Sequence, residues 1–224
     1  MIEKVKEQVN KLLSKDNSGH GMDHINRVLT LSLKFAEKEN ADKNIVSLIA
    51  LLHDVDDYKL FGKECQENLT NAKRIMKSVN IDLKTQKQIL DSLKCIGYSK
   101  SLKGLRPNSI EGKIVSDADM CDALGAIGIL RVHKFGLKIN RPFFDKNIFP
   151  VEDTIYNYHM EKTSSTVNFI FEVLFKYKNI MLTESGKKEA VTRHQYMIEF
   201  LYNYFQEEDA IEWIDYLNNH VKNT

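Results

Sequence analysis

The sequence predicts an all-α fold, on three observations. Only 3 prolines and 10 glycines occur in 224 residues, so few positions break a helix or force a tight turn. Apolar residues recur three and four apart through most long windows, the period of one helix face. Internal repeats, low-complexity tracts and Pro/Ser-rich linkers are absent, which predicts one helical domain over residues 1–224.

The elements follow in order. Residues 2–14 have a helical apolar period, and the turn KDNSGHG leads to a second helix near 22–39. The stripe of that helix is Ile25, Val28, Leu29, Leu31, Leu33 and Phe35. Asp42 reads as the N-cap of a third helix, 43–55, because a short side-chain oxygen can accept the orphan N–H groups of a first turn. Its run IVSLIALL is apolar almost all round, which makes it central and buried. Helical periodicity resumes at about 64–79 and 82–96, and GYSKSLKGLRPNS (97–109) is the clearest loop. A further helix spans about 110–134. The polar and aromatic stretch 136–160 is the least regular part, a lid or a long connection. Helices near 163–177 and 185–206 precede a short C-terminal helix with Trp213. The expected organisation is a core of about 15–135 with a helical extension of about 150–221.

Composition excludes several classes. Lys plus Arg number 32 and Asp plus Glu 31, so a formal charge of +1 offers no general attraction to nucleic acid or anionic membrane. No stretch approaches the roughly 20 apolar residues of a membrane span, and the N-terminus lacks a signal peptide's apolar run. Cys65, Cys95 and Cys121 match no metal spacing and read as reduced thiols, so the expected compartment is the cytoplasm.

Two of the seven histidines stand in unusual company. His53 and Asp54 end the most apolar helix, where polar side chains need compensation by a partner. Neighbouring helix residues point about 100° apart, so both reach one ion only near the helix end. His24, four residues after His20 and on its face, and Asp119, within DAD, are candidate ligands from other elements. Such mixed N/O sets suit zinc, manganese, iron or magnesium. His133, His159, His194 and His220 have no ligand spacing and read as surface or packing residues, and YMIEFLYNYF (196–205) reads as a core stripe.

These residues resemble the HD-domain metal-dependent phosphohydrolases. The likeness is carried by His24 within HGMDHINRV, His53-Asp54 within IALLHDVDDYK, and Asp119 within KIVSDADMCDALGAIGILR. HxxxHxxRV, DADxxDAxGAIGIxR and the segment STVNFIFEVLFKYKNIMLTESGKKEAVTRHQYMIEFL look like one bacterial branch of small stand-alone HD hydrolases, over most of 15–208. The resemblance implies an all-α hydrolase of phosphate esters or anhydrides, with nucleotides the favoured substrates. The reaction is either removal of one phosphate from a monophosphate or release of pyrophosphate from a triphosphate. Met120 stands where that branch often carries Arg, so substrate identity does not transfer with the motif. Two-ion and oxygenase HD enzymes need further histidines between HD and the last Asp. None occurs from Val55 to Ala118, so one divalent ion (Mn, Co, Mg, Zn or Fe) is expected.

Other residues take roles around that ion. Asp57 shares the face of His53 and Asp54 if their helix runs one turn further, and resembles the acid/base or water-orienting carboxylate of single-metal nucleotidases. Arg27, on the His24 face, suits a phosphate contact or a salt bridge behind the ligands, and Lys59 is a second phosphate candidate. His20 is a leaving-group acid or a partner of a ligand. Asp122 pairs with Arg27 or orients a ligand histidine. The competing classes are a non-catalytic nucleotide-sensing or scaffolding module and a guanosine tetraphosphate hydrolase. The latter needs an acidic pair after HD, which Asp56-Asp57 only loosely resembles. A homodimer is left open.

Overall fold

The computed structural model describes residues 1–14, 16, 19–151 and 164–222, and no strand occurs among them. The chain forms two compact units where one domain is expected: Met1–Asp122 with Met181–Lys187, and Ala123–Ile180 with Lys188–Thr224.

The first unit holds α1 (Ile2–Leu13), α2 (Met22–Lys38), α3 (Lys43–Leu52), α4 (Tyr58–Phe61), α5 (Lys63–Asn68), α6 (Thr70–Ser78), α7 (Leu83–Leu93), α8 (Tyr98–Leu102) and α9 (Ile110–Asp122). Its centre is α3, buried at every residue from Val46 to Leu52 and packed against α1, α2, α7 and α9. Burial all round leaves no solvated face, which is why IVSLIALL has no polar stripe. Asp42 caps it, accepting from Asn44 N at 2.7 Å and Ile45 N at 3.2 Å. The helix ends three residues earlier than expected, and His53 is its C-cap.

Three other boundaries differ. The expected helix 64–79 is two, because Leu69 takes a left-handed φ of 50° between α5 and α6. The loop 97–109 carries the short α8. The helix 110–134 breaks after Asp122, at the boundary of the two units, and Gly125 restarts the chain at φ 72°. A φ of that sign strains any residue with a Cβ.

The second unit contains α10 (Gly125–Lys138), α11 (Thr166–Glu172), a 3-10 helix (Leu174–Ile180), most of α12 (Glu184–Glu207), and α13 (Ile211–Lys222). Its core is aromatic: Trp213 stacks on Phe149 with centroids 4.5 Å apart, and its ring N–H donates to the Lys146 carbonyl at 3.0 Å. Along α12 the buried stripe is Ala190, His194, Met197, Leu201 and Phe205, while Tyr196, Phe200 and Tyr202 are exposed. Part of the expected lid or connection, 139–151, is irregular and packs aromatic side chains on α12 and α13. Residues 152–160 of that stretch, with His159, lie outside the described residues. No helix among the described residues is long and apolar enough to cross a membrane, and all three cysteines are free thiols.

Candidate metal centre

Three helices of the first unit deliver four side chains to one point. His24 comes from the start of α2, His53 and Asp54 from the end of α3, and Asp119 from α9. The two imidazoles face each other with Nε2 atoms 3.1 Å apart. His24 Nε2 lies 3.4 Å from Asp54 Oδ2 and 3.4 Å from Asp119 Oδ1, and His53 Nε2 lies 3.6 and 3.8 Å from the same oxygens.

Each histidine already spends its other ring nitrogen. His24 Nδ1–H donates to Asp122 Oδ2 at 2.7 Å, and His53 Nδ1–H donates to the Ala50 carbonyl at 2.8 Å. Both Nε2 atoms are therefore bare lone pairs, pointed at each other and at two carboxylate oxygens. Four electron-rich atoms with no proton between them repel unless a cation sits among them.

The spacing fits one. With ligand distances of about 2.0–2.2 Å, adjacent donors of a tetrahedral or octahedral ion lie about 2.8–3.6 Å apart, close to what the cage offers. The residues present therefore suit a divalent metal ion. Among the described residues, the three-residue groups able to hold one are His24, His53 and Asp119, and His20, His24 and Asp54.

Charge agrees with geometry. Burial works to raise the Asp54 carboxyl, but His53 and the hydrogen-bonded His20 outweigh it and hold Asp54 well below the usual carboxylate range. Asp119 is balanced the same way: burial pushes it up, and His24 and His53 bring it below its ordinary value. Both carboxylates stay ionised, as ligands must.

Comparison with known proteins places the chain in a family. The family model "HD domain" matches residues 21–124, which takes in the cage residues. An HD-superfamily hydrolase from Bacillus thuringiensis is 31% identical, with a TM-score of 0.72, over 93% of this chain and 97% of that one. The chain belongs to the HD superfamily. The Bacillus subtilis protein YpgQ is 29% identical over 201 residues, 89% of each chain. Its crystal structure in complex with ADP superposes with a TM-score of 0.69 at 25% identity, over 92% of this chain and 94% of YpgQ.

Around the HD residues, the other candidates divide between facing the cage and turning away. His20 lies beside it, its Nδ1–H donating to Asp54 Oδ2 at 2.7 Å and its backbone N–H to Asp16 Oδ2 at 3.1 Å. Burial opposes protonation of His20, yet the Asp54 and Asp57 carboxylates prevail and raise its pKa. Asp57 does not share a helix face with Asp54, because residues 53–56 form a turn. It comes near through the turn bond from its N–H to the Asp54 carbonyl at 3.2 Å, and it caps α4 by accepting from Lys59 N at 2.9 Å. Burial first, and Asp54 second, raise the Asp57 carboxyl above its ordinary value. The Lys59 ammonium lies close enough to act on both His20 and Asp57.

Asp56 points the other way. It is buried, and it accepts from Asn71 N at 2.7 Å, Ala72 N at 2.9 Å and the Cys65 thiol at 3.0 Å. The N-cap of α6 is Leu69, which has no side-chain oxygen, so Asp56 serves the first-turn N–H groups from a distance. Asp56 and Asp57 are thus not one acidic pair.

The three aspartates of helix α9 have three destinations. Asp119 and Asp122, one turn apart, share a face toward α2. Asp117, on the opposite side and fully buried, accepts from Leu182 N, Thr183 N and Thr183 Oγ1 at 2.7–3.0 Å, fastening the 181–187 segment. Sequence reasoning assigned Asp117 no role. The available signal was a DAD triplet inside a helix with no polar face, since a carboxylate there needs partners on every side.

Proposed function

We propose that this chain is a metal-dependent phosphohydrolase acting on nucleotides, with a single divalent ion held by His24, His53, Asp54 and Asp119. The observation that carries the reading is the pair of bare Nε2 atoms 3.1 Å apart, each within 3.8 Å of the Asp54 and Asp119 oxygens. An ion held there supplies Lewis acidity toward a phosphoryl oxygen and lowers the pKa of a bound water. Two neutral imidazoles and two carboxylates leave the loaded site close to neutral, which admits an anionic substrate.

The chain's own residues do the rest. Asp57, with its carboxyl raised by burial and by Asp54, is suited to exchange a proton with the water or the leaving oxygen. Lys59 stands on the same side and offers a cation to a phosphate. His20, hydrogen-bonded to Asp54, orients that carboxylate and is a second proton carrier. The YpgQ complex with ADP supports a nucleotide as the ligand class. The commitment of Asp56 to α6 argues against the paired-acid arrangement of a guanosine tetraphosphate hydrolase.

The test is product release from nucleoside mono-, di- and triphosphates by metal-stripped protein resupplied with manganese, cobalt, magnesium or zinc. The reading expects turnover that needs added metal and disappears in His53→Ala and Asp54→Ala. Pyrophosphate among the products marks a triphosphate pyrophosphohydrolase, and orthophosphate alone a phosphomonoesterase. Tight nucleotide binding without turnover on any metal supports the sensing module instead.

A further inference from the structure

We infer that Arg27 and Asp122 form a positioning clamp for His24 and act on the metal centre through it, rather than as substrate contacts. The inference rests on reading the cage as a metal centre. Its observations are distances. Asp122 Oδ2 accepts from His24 Nδ1 at 2.7 Å and from Arg27 Nη2 at 2.9 Å, and Oδ1 accepts from Arg27 Nε at 2.7 Å. Asp122 and His24 are each only 2% exposed, so a substrate cannot reach that carboxylate.

The arrangement is a ladder between two helices. On α2, Arg27 lies one turn beyond His24, and on α9, Asp122 lies one turn beyond Asp119. One rung brings His24 Nε2 and Asp119 Oδ1 together at 3.4 Å, and the other joins Arg27 to Asp122. Asp122 crosses between the rungs to hold the His24 ring. Taking the Nδ1 proton leaves Nε2 as the bare nitrogen and fixes where it points. A buried carboxylate bonded only to a neutral imidazole would be poorly compensated, and the two-point guanidinium fork supplies the missing charge and direction. Lysine offers the charge without the fork.

Metal affinity, measured by titrating Mn²⁺ into metal-stripped protein, separates the two roles. The variants are Arg27→Ala, Asp122→Asn, the double variant and Arg27→Lys. The clamp predicts that each single variant binds Mn²⁺ about 10- to 100-fold more weakly. It also predicts that the double variant is within about twofold of the worse single one, since both changes cut the same link. Arg27→Lys recovers affinity only in part. The KM for a hydrolysed nucleotide at saturating metal stays within about twofold of wild type. Wild-type Mn²⁺ affinity in Arg27→Ala together with a KM raised tenfold or more overturns the inference and makes Arg27 a substrate contact. Arg27→Ala removes a side chain that is 36% exposed, so this arm holds even where Asp122→Asn fails to fold. A wild-type protein that binds no Mn²⁺ overturns the clamp and the metal centre together. One that binds the ion but hydrolyses no nucleotide leaves the affinity comparison intact and removes only the hydrolase reading.

Discussion

Replacing Asp56 with alanine distinguishes a structural carboxylate from a catalytic one two residues after the HD pair. Its oxygens receive the N–H groups of Asn71 and Ala72 at 2.7 and 2.9 Å, and the thiol of Cys65 at 3.0 Å. Two bonds to an ionised acceptor contribute about 1.5 kcal/mol each, and the Ala72 N–H is left buried without a partner, so the loss is about 3–4 kcal/mol. For a chain of this size that corresponds to a fall in Tm of roughly 6–16 °C. Asp56→Asn keeps one acceptor oxygen and falls between wild type and alanine. The assay is calorimetric melting, paired with Mn²⁺ titration at 15 °C, where the variant remains folded. We expect the melting loss with Mn²⁺ affinity within about threefold of wild type. A Tm within 2 °C of wild type, combined with lost metal-supported turnover, would refute the capping argument and restore Asp56 and Asp57 as an acidic pair.

Three further outcomes follow from the structure. Asp57→Asn lowers nucleotide turnover by about 10²- to 10⁴-fold while metal stoichiometry stays the same, and a rate within tenfold of wild type removes Asp57 from the chemistry. Gly186→Ala places a methyl group against the Asp117 carboxylate and costs about 1–3 kcal/mol in urea unfolding, so an unchanged midpoint contradicts the packing described for that segment. His194 is buried in the α12 stripe with neither ring nitrogen hydrogen-bonded, and burial first, then Lys178 and His220, lower its pKa to about 4. The unfolded chain therefore binds more protons than the folded one between about pH 6.5 and pH 4, and stability falls as pH drops through that window. His194→Leu shows a flatter stability profile from pH 6.5 to 4, and identical profiles contradict the assignment.

Legibility of the fold in the sequence followed the range of the interactions. Helices α2 and α3 were readable because a continuous apolar pattern and a local cap at Asp42 state the same thing twice. The left-handed Leu69 was not, because its φ is imposed by the α5–α6 turn and leucine carries no turn signal. The break after Asp122 was hidden by GAIGILRV, which continues the helical period across the glycine. At the site, His53 and Asp54 stood out because they end an apolar helix. The proximity of Asp57 was expected from helix continuation, whereas it arises from a turn that caps α4. Asp117 and Asp56 were illegible for a common reason: their partners begin 65 and 9 residues further along the chain, and no local spacing encodes such pairs.

Anomalous diffraction from crystals soaked in manganese reveals whether His24, His53, Asp54 and Asp119 hold one ion. A single strong peak per chain is expected in the first unit, within about 2.4 Å of both Nε2 atoms and of an oxygen from each aspartate. Two peaks bridged by Asp54, with one of them on His20, or no peak among these four residues, would contradict it.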